Sequence, residues 1–295
     1  MQRPRSIAPT ILKNRFIHLE VLEGAGPRIS TLVPAGSNQN LLAKLPEAQW
    51  ETPYGQYHLF GGHRLWSAPE VPAVTYFPED NGCTLELLPG GMRLSRQDRG
   101  AVHYERSFEV QLESDAPRVH IKHTLRNLGP SPLTAAPWAI TVLPMGSRVL
   151  VPLAQKIVDD NPFLPNRNLV LWQYSDPADP RFKLANASIH LSSDPAQGPF
   201  KFGVYSTRGW AAAQIGEWLL VKRFTPLPAD ARLDQGANLE VYTNQFFLEL
   251  ETLGELRTLM TGESVQHDET WDVISGKLED LDENGMIPSN TEGRP

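Results

Sequence analysis

Apolar and polar residues alternate one by one over two long stretches of this chain, which restricts the folds open to it. Residues 107–112 and residues 119–126 each place a largely apolar side chain at every second position. A period of two sends alternate side chains to opposite faces of a β-strand, so both stretches predict half-buried strands. The polar, proline-containing segment 113–117 lies between them and is a turn signal. Together they predict an antiparallel hairpin.

Similar short segments recur along the chain, and no stretch predicts a helix of three turns. The chain contains 26 prolines and 22 glycines, which mark many breaks between short elements. Sequential strands joined by turns predict an all-β fold, a large antiparallel β-sandwich. Residues 41–47 predict one short helix. Further strands are expected at 15–22, 84–88, 136–143, 169–172, 201–206, 218–224, 238–243, 246–252 and 269–274.

The length and the composition of the C-terminal end predict one domain followed by a tail. A chain of 295 residues can form a single large all-β domain, which we place at residues 1–275. Residues 276–295 are acidic, polar and nearly free of large apolar side chains. We therefore expect a flexible C-terminal tail there.

Charge and cysteine content bear on partners and location. The formal net charge is −7 and there is no basic block, so we expect neither nucleic-acid nor membrane binding. A single cysteine, Cys83, excludes an internal disulfide and a cysteine-based zinc cluster. Residues 1–16 contain basic residues but no apolar run, unlike a secretory signal. These features lead us to expect a cytoplasmic protein, a monomer or a weak homodimer.

The densest group of functional side chains follows two adjacent glycines in the segment 57–70. Glycines let the backbone pass close to another group, and here His63, Arg64 and Trp66 follow them at once. An arginine offers a planar fork of donors to sugar hydroxyls, phosphate or carboxylate, and a tryptophan offers a flat apolar face. The alternative is a turn with a salt-bridged arginine and a core tryptophan. A metal site built on His58 and His63 would still need a carboxylate, and we expect no metal and no cofactor.

A second group lies in the segment 238–252. If this segment forms strands, Glu240 shares a face with Tyr242, and Glu249 shares a face with Glu251. Two nearby carboxylates raise the pKa of one of them, which suits proton transfer near neutral pH. The alternative is an ordinary strand with one solvated face.

Three further features are candidates for the same site. Trp138 is either a core residue or a platform for a sugar ring. Lys222 shares a strand face with Trp218, which is consistent with a solvated face or with ligand binding. The loop 161–182, rich in proline and aspartate, either folds over a cleft or bridges strands.

In order along the chain, three segments resemble the aldose 1-epimerase (galactose mutarotase-like) superfamily, as a separate branch of it. They are FGGHRLW at 60–66, RNLGPSPLTAAPWAITVL at 126–143 and the closing segment 247–273, which contains a Thr-Gly-Glu turn at 261–263. The resemblance extends over roughly residues 16–274. It implies the galactose mutarotase-like supersandwich fold, a sugar-binding role for Arg64 and a general-base role for Glu251.

One position departs from the family pattern. Trp138 or Ile140 stands near the place of the family's catalytic histidine, and neither can exchange a proton. Mutarotation needs a base at the anomeric hydroxyl and an acid at the ring oxygen. The acid would have to be His63, His58 or a protonated Glu249.

The resemblance therefore implies two hypotheses, both with a mono- or oligosaccharide as ligand. One is an aldose 1-epimerase-like isomerase, and the other is a non-catalytic sugar-binding or sensor protein. For the isomerase, the expected catalytic set is Glu251, Glu249 and His63. In both, the expected binding set is Arg64, Trp66, His58, Trp138, Glu240 and Lys222.

Overall fold

Two large antiparallel sheets form the fold. The computed structural model describes residues 9–80, 82–154 and 165–288. Within these residues there are two ten-stranded sheets and a separate two-stranded ribbon, and every strand pairing is antiparallel. Apolar side chains from both sheets meet between them, including Leu32 and Leu250 from one and Phe108 and Leu220 from the other. The predicted all-β sandwich is confirmed.

The first sheet, called here the front sheet, carries the candidate site. With strands numbered along the chain, it contains β1 (Pro9–Lys13), β2 (Ile17–Leu22), β3 (Arg28–Pro34), β6 (His63–Ala68), β11 (Leu133–Leu143), β13 (Val170–Leu171), β16 (Phe200–Val204), β19 (Leu239–Thr243), β20 (Leu248–Leu253) and β21 (Arg257–Leu259). Their order in the sheet is β1-β2-β3-β6-β11-β20-β19-β16-β13, and β21 pairs with the start of β11.

The second sheet, the back sheet, has the order β14-β15-β12-β17-β18-β22-β10-β9-β8-β7. It contains the predicted hairpin, because β9 pairs with β10 through partners such as Val119 and Leu112. Its strands are β7 (Thr84–Leu88), β8 (Gly91–Arg99), β9 (His103–Leu112), β10 (Arg118–Asn127), β12 (Arg148–Pro152), β14 (Phe182–Leu184), β15 (Ser188–Ser192), β17 (Trp210–Ile215), β18 (Trp218–Phe224) and β22 (Ser264–Ser275).

The two-stranded ribbon consists of β4 (Lys44–Thr52) and β5 (Gly55–Gly61). The helix predicted at 41–47 is wrong, because residues from Lys44 onward form a strand that pairs with β5. That pairing partner is distant in the sequence, so the local pattern did not reveal it. The only helical elements in the described residues are a single turn, α1 (Pro72–Thr75), and a 3-10 turn at Leu278–Asp280. No helix in the described ranges has the length and hydrophobicity needed to span a membrane.

Part of the predicted C-terminal tail packs against the back sheet. Leu278 is buried in a cluster with Trp210 and Leu219, and Arg223 donates hydrogen bonds to the carbonyl oxygens of Asn284 and Gly285. The segment from Leu278 to Gly285 is therefore held against the sheet, although its composition alone predicted no such contact. The flexibility of the tail and the boundary at 275 stay predictions, and residues 289–295 lie outside the described part of the chain.

A buried polar network lies between the sheets, with the Lys222 ammonium at its centre. Lys222 Nζ lies 2.8 Å from Glu269 Oε1. It also donates to Thr141 Oγ1 at 3.0 Å and to the carbonyl oxygen of Leu250 at 3.1 Å. Glu269 also accepts hydrogen bonds from Trp271 Nε1 and from the Thr252 hydroxyl. A buried ion pair is stable only with such complete hydrogen bonding.

Three histidines extend this network, and burial favours the neutral form of all three. His123 Nδ1 donates to the carbonyl oxygen of His267, so His123 Nε2 accepts from His63 Nε2 at 2.8 Å. His63 Nδ1 then accepts from Thr141. His267 Nε2 donates to Thr252 Oγ1 at 2.7 Å. Burial lowers the pKa of His63 and His123, and it lowers that of His267 to about 3.

This network predicts loss of stability in mild acid. The unfolded chain takes up protons as pH falls below the ordinary histidine pKa of 6.5, while the folded chain keeps these rings neutral. Each such histidine contributes a slope of about 1.4 kcal/mol per pH unit, with full stability above pH 6.5 and loss towards pH 3. We expect His267→Asn to flatten the pH dependence of the unfolding free energy, measured by urea titration at pH 7, 6 and 5.

His120→Asn is the matched control, because His120 lies on the exposed side of β10 and outside the network. Equal slopes for the wild type and His267→Asn would contradict the assignment of a neutral buried ring.

Candidate functional site

The outer face of the front sheet, turned away from the core, is lined by a row of paired residues from six strands. Arg64 pairs with Ile140, Ile140 with Glu251, and Glu251 with Glu240. The row continues to Gly203 and Val170. A neighbouring row joins Glu249, Tyr242 and Lys201. Because side chains alternate along strands, these residues all project to this one face.

Two adjoining hollows open on this face. The first has a volume of about 510 Å³ and the second about 310 Å³. They share Glu70, Trp138 and Lys201 as a common wall, so they form one continuous cleft. The first hollow is also lined by Trp50, Arg64, Trp66, Tyr76, Tyr174, Tyr242, Phe247 and Glu249. The second is also lined by Val170, Leu171, Trp172, Asp234, Gln235 and Glu240.

Arg64 is held between a carboxylate and an aromatic ring. Its Nη2 donates to Glu249 Oε1 at 2.9 Å, and its guanidinium carbon lies 4.0 Å from the centre of the Trp66 ring. Only 1% of Arg64 is exposed, so the contact with Glu249 is poorly screened by solvent. Burial lowers the pKa of Arg64, but the combined attractions of Glu249, Tyr57 and Glu79 outweigh it, so the pKa is raised. Nε and Nη1 have no hydrogen-bond partner among the described residues.

The two glycines before His63 set the position of Arg64. Phe60, Gly61 and Gly62 all have positive φ, at 56°, 80° and 71°. A methyl group on Gly61 would collide with the carbonyl oxygen of Ala43, and one on Gly62 with that of Ile29. Only glycine satisfies both requirements, since it has no Cβ and tolerates positive φ.

A buried ion cluster stabilises the same turn from behind. Arg28 donates to the carbonyl oxygen of Gly61 and pairs with Glu79. Glu79 also accepts from Arg106, at 2.7 Å, and Arg106 donates to the carbonyl oxygen of Leu65. Because all three charged residues are fully buried and paired, the cluster fixes the backbone on both sides of Arg64.

Lys201 bridges two carboxylates that face each other across the strands. Glu240 and Glu251 are directly opposed, an arrangement that is unfavourable for like charges. The Lys201 ammonium lies 2.7 Å from Glu240 Oε2 and 3.0 Å from Glu251 Oε2. It also lies 4.7 Å from the ring centres of both Trp138 and Trp172. The ammonium therefore offsets the repulsion and fixes both tryptophans.

The cleft holds more carboxyl groups than cations, and two of those carboxyls have raised pKa values. Burial raises the pKa of Glu240 to about 8, against the lowering effect of Lys201. Burial also raises the pKa of Glu249, against the lowering effect of Arg64. Carboxyls of this kind can act as hydrogen-bond donors near neutral pH.

Aromatic rings form the floor and one side of the first hollow. Trp66 and Trp138 meet edge to face with ring centres 5.5 Å apart. Tyr76 lies 5.1 Å from Trp66 and 5.6 Å from Trp50, also edge to face. Trp50 comes from the β4–β5 ribbon, which thus forms a wall over the sheet. Such edge-to-face packing holds the rings rigidly.

The structure brings five of the sequence-predicted residues together. Arg64, Trp66, Trp138 and Glu249 line the first hollow, and Glu240 and Trp138 line the second.

Three of the predicted residues lie elsewhere. His63 is next to Arg64 in β6, so it must project to the opposite face, where it joins the buried network between the sheets. Lys222 lies on the back sheet and is also in that network, so neither the solvated face nor the ligand-binding role holds. His58 pairs with Asp80 at 3.0 Å, outside both hollows. The placement of these three in the cleft was wrong.

Glu251 is on the predicted face but lies beneath the cleft floor. It is fully buried, and its Oε2 accepts hydrogen bonds from Trp138 Nε1 at 2.7 Å and from Lys201. Neither hollow includes it among its lining residues. Through Oε2, Glu251 holds Trp138 and Lys201 in place, while its Oε1 has no hydrogen-bond partner among the described residues.

Sequence reasoning missed Lys201, Glu70, Tyr76 and Trp172 as cleft residues. Lys201 had one usable signal, since it is a lone charge in the apolar strand β16. Trp172 and Tyr174 belong to the predicted loop 161–182, and both line the cleft. Whether that loop closes over the site stays a prediction, and residues 161–164 lie outside the described ranges.

The described residues include one group with metal-ligand atoms close together, in the interior and not in the cleft. Ligand atoms of His63, His123 and Glu269 lie within 4.8 Å of one another. Each of these atoms already has a hydrogen-bond partner, and the Lys222 ammonium supplies the positive charge. The group therefore satisfies its own charges and hydrogen bonds as a protein network.

Comparison with solved structures shows the same fold in other proteins. A galactose mutarotase-like protein from Lactobacillus casei superimposes with a TM-score of 0.57, at 10% identity over 90% of this chain and 100% of that one. An aldose epimerase homologue from C. elegans gives a TM-score of 0.55, at 9% identity over 92% and 100%. A TPR-domain containing protein from Parabacteroides distasonis gives 0.65, at 12% identity over 98% of this chain and 50% of that one.

The sequence itself matches no family model and no curated protein. The galactose mutarotase-like fold that the resemblance implied is thus confirmed, and these similarities show the fold alone. Fold alone does not determine the reaction, which depends on the side chains of the site.

The raised pKa of Glu240 predicts a pH-dependent effect of removing its carboxyl. Between the ordinary pKa of 4.5 and about 8 the folded chain keeps a proton that the unfolded chain loses. This carboxyl therefore lowers stability increasingly as pH rises through that window. We expect Glu240→Gln to become more stable relative to the wild type from pH 5.5 to 7.5, by up to about 1.4 kcal/mol per pH unit in urea unfolding.

Glu86→Gln, in the exposed part of strand β7, controls for the loss of one carboxylate from the chain. A difference between Glu240→Gln and the wild type that stays constant with pH would show that Glu240 is ionised throughout.

Proposed function

We propose that this protein is a carbohydrate-binding protein whose ligand lies in the cleft on the outer face of the front sheet. One observation carries the proposal. A single concave surface combines the buried Arg64–Glu249 pair, the Lys201–Glu240 pair and a rigid set of tryptophan and tyrosine rings.

This combination suits a sugar because a pyranose has two chemically different sides. Its C–H groups form apolar patches that pack on aromatic faces such as Trp66. Its hydroxyls both donate and accept, and charged groups in fixed positions bind them most strongly. Ligand pockets in general combine an apolar lining with a few positioned polar groups.

Arg64 is the main expected contact for sugar hydroxyls. Two of its three nitrogens have no hydrogen-bond partner in the described residues, although the side chain is buried beside the first hollow. Buried donors gain most from a partner because they are already removed from bulk water. The Glu249 carboxyl next to Arg64 supplies an acceptor or a donor, according to its protonation.

The arrangement favours binding without turnover. Mutarotation requires one group to remove the proton of the anomeric hydroxyl and another to protonate the ring oxygen while the C1–O5 bond breaks. All eight histidines lie in the described residues, and none lines the cleft. The residue expected as the base, Glu251, contacts Trp138 and Lys201 beneath the floor.

Epimerisation is the second candidate, favoured by the raised pKa of Glu249 and Glu240. A protonated carboxyl in the cleft could donate its proton to the ring oxygen, and an ionised one could accept the proton of the anomeric hydroxyl. In this case the pair of cleft glutamates would replace the histidine and glutamate of the family pattern.

We expect Arg64→Ala to weaken sugar binding by about 1–3 kcal/mol, since a charged hydrogen-bond partner is lost. The measurement is calorimetric titration with a sugar identified by a thermal-shift screen, because a ligand that binds only the folded state raises its stability. Arg64→Lys is the matched variant, because it keeps the positive charge and loses the planar guanidinium group with its fork of donors. Unchanged affinity in Arg64→Ala would remove Arg64 from the site.

We also expect no acceleration of mutarotation for sugars that bind. Freshly dissolved α-D-glucose and α-D-galactose would be followed by polarimetry and NMR, with and without the protein. Acceleration above the buffer rate that is lost in Glu249→Gln or Glu240→Gln would establish the epimerase instead.

A further inference from the structure

We propose that the cleft contains two sugar subsites and that its ligand is a disaccharide or a longer oligosaccharide of neutral sugars. This inference rests on the proposed function and narrows its ligand class.

The first argument is the extent of the cleft across the sheet. The two hollows share Glu70, Trp138 and Lys201, so a ligand can pass from one to the other without leaving the surface. The cleft runs from β6, which carries Arg64, to β13, which Trp172 follows. Five strand spacings separate β6 from β13, about 24 Å in all. This is the width of the sheet beneath the cleft, and one pyranose ring covers only part of it.

The second argument is that each hollow has its own aromatic and polar groups. In the first, Trp66 and Tyr76 supply rings beside Arg64 and Glu249. In the second, Trp172 supplies a ring beside Glu240 and Asp234. Trp138 stands between them and is fixed by its hydrogen bond to Glu251. A single monosaccharide could use only one of these two sets.

A glycine in β16 lies next to two residues of the second hollow, Glu240 and Val170. A Cβ on Gly203 would lie 2.9 Å from Ala237 Cβ, which is too close, whereas its distances to Glu240 Cγ and Trp172 Cζ3 would be ordinary contacts. Glycine therefore lets the segment that carries Ala237 pack against β16 beside Glu240. In the same segment, Gln235 has a positive φ of 49°, which is unusual for a residue other than glycine. Its exposed side chain lines the hollow.

Charge restricts the ligand to neutral sugars. Arg64 already faces Glu249, and Lys201 already faces Glu240 and Glu251. Glu47 and Glu70 add further carboxylates to the lining. A sugar phosphate or a uronate would therefore meet more carboxylates than free cations, and its own charge would be repelled.

The test compares affinities of matched sugars by calorimetric titration of the full chain. The probes are D-glucose and D-galactose, the disaccharides maltose, cellobiose and lactose, and D-glucuronate. The variants are Trp172→Ala and Gln235→Gly in the second hollow, and Arg64→Ala in the first. Gln235→Gly removes a side chain at a position where glycine fits the backbone, so it does not threaten folding. Trp218→Ala, on the back sheet, is the control for loss of a tryptophan.

We expect at least one disaccharide to bind about 10-fold more tightly than either monosaccharide, and D-glucuronate to bind more weakly than D-glucose. Trp172→Ala and Gln235→Gly should reduce disaccharide affinity towards that of the monosaccharide, and by a larger factor than they reduce monosaccharide affinity. Arg64→Ala should weaken both.

Other outcomes overturn the inference in distinguishable ways. If mono- and disaccharides bound with equal affinity, and Trp172→Ala and Gln235→Gly bound both as the wild type does, sugar binding would stand and a second subsite would be excluded. Tighter binding of D-glucuronate would exclude the neutral class. Failure of every sugar to bind would overturn both the subsites and the proposed function.

Discussion

The Lys222 ammonium joins the two sheets at the centre of the fold. It reaches from the back sheet to Thr141 and to the carbonyl oxygen of Leu250 on the front sheet, and it pairs with Glu269 behind. A buried charge is tolerated only when every donor has a partner, and all three of its donors do. The inward sides of β11 and β20 are fixed in this way. Their outward residues, including Trp138 and Glu249, are therefore fixed as well, because the side chains alternate.

On the outer face, some buried charged groups lack a full set of hydrogen-bond partners in the described residues. Arg64 and Lys201 face three carboxyls, so some carboxyls retain protons and some polar atoms have no partner in the described residues. In the interior network, no fully buried side-chain atom is without a partner among those residues. The ion cluster behind the turn is less complete, because Arg28 Nε and Arg106 Nη2 have no partner there. Unsatisfied polar groups are costly in a core but useful where a ligand can complete them. Arg64 differs from that cluster because it lines a hollow that a ligand can enter.

The comparison with solved structures supports the fold and leaves the chemistry to this chain's own residues. Proteins at about 10% identity share the sandwich, and the sequence resemblance implies a histidine near Trp138 or Ile140 of this chain. Trp138 donates its indole N–H to Glu251, the carboxylate expected to act as the base. No histidine of the described residues lines either hollow, which is the main reason for proposing binding before catalysis.

The alternation of side chains in the sequence was enough to predict the sandwich, most strands, and the shared face of Glu249 and Glu251, because a period of two is a local property. It could also have excluded His63, since neighbours in a strand point apart. Which face becomes a cleft and which becomes core depends on pairing between distant strands. Only the tertiary structure decided that Lys222 lies in the core, that Lys201 lies between Glu240 and Glu251, and that Trp172 lies opposite Trp138. These contacts join residues far apart in the chain, and no local pattern encodes them.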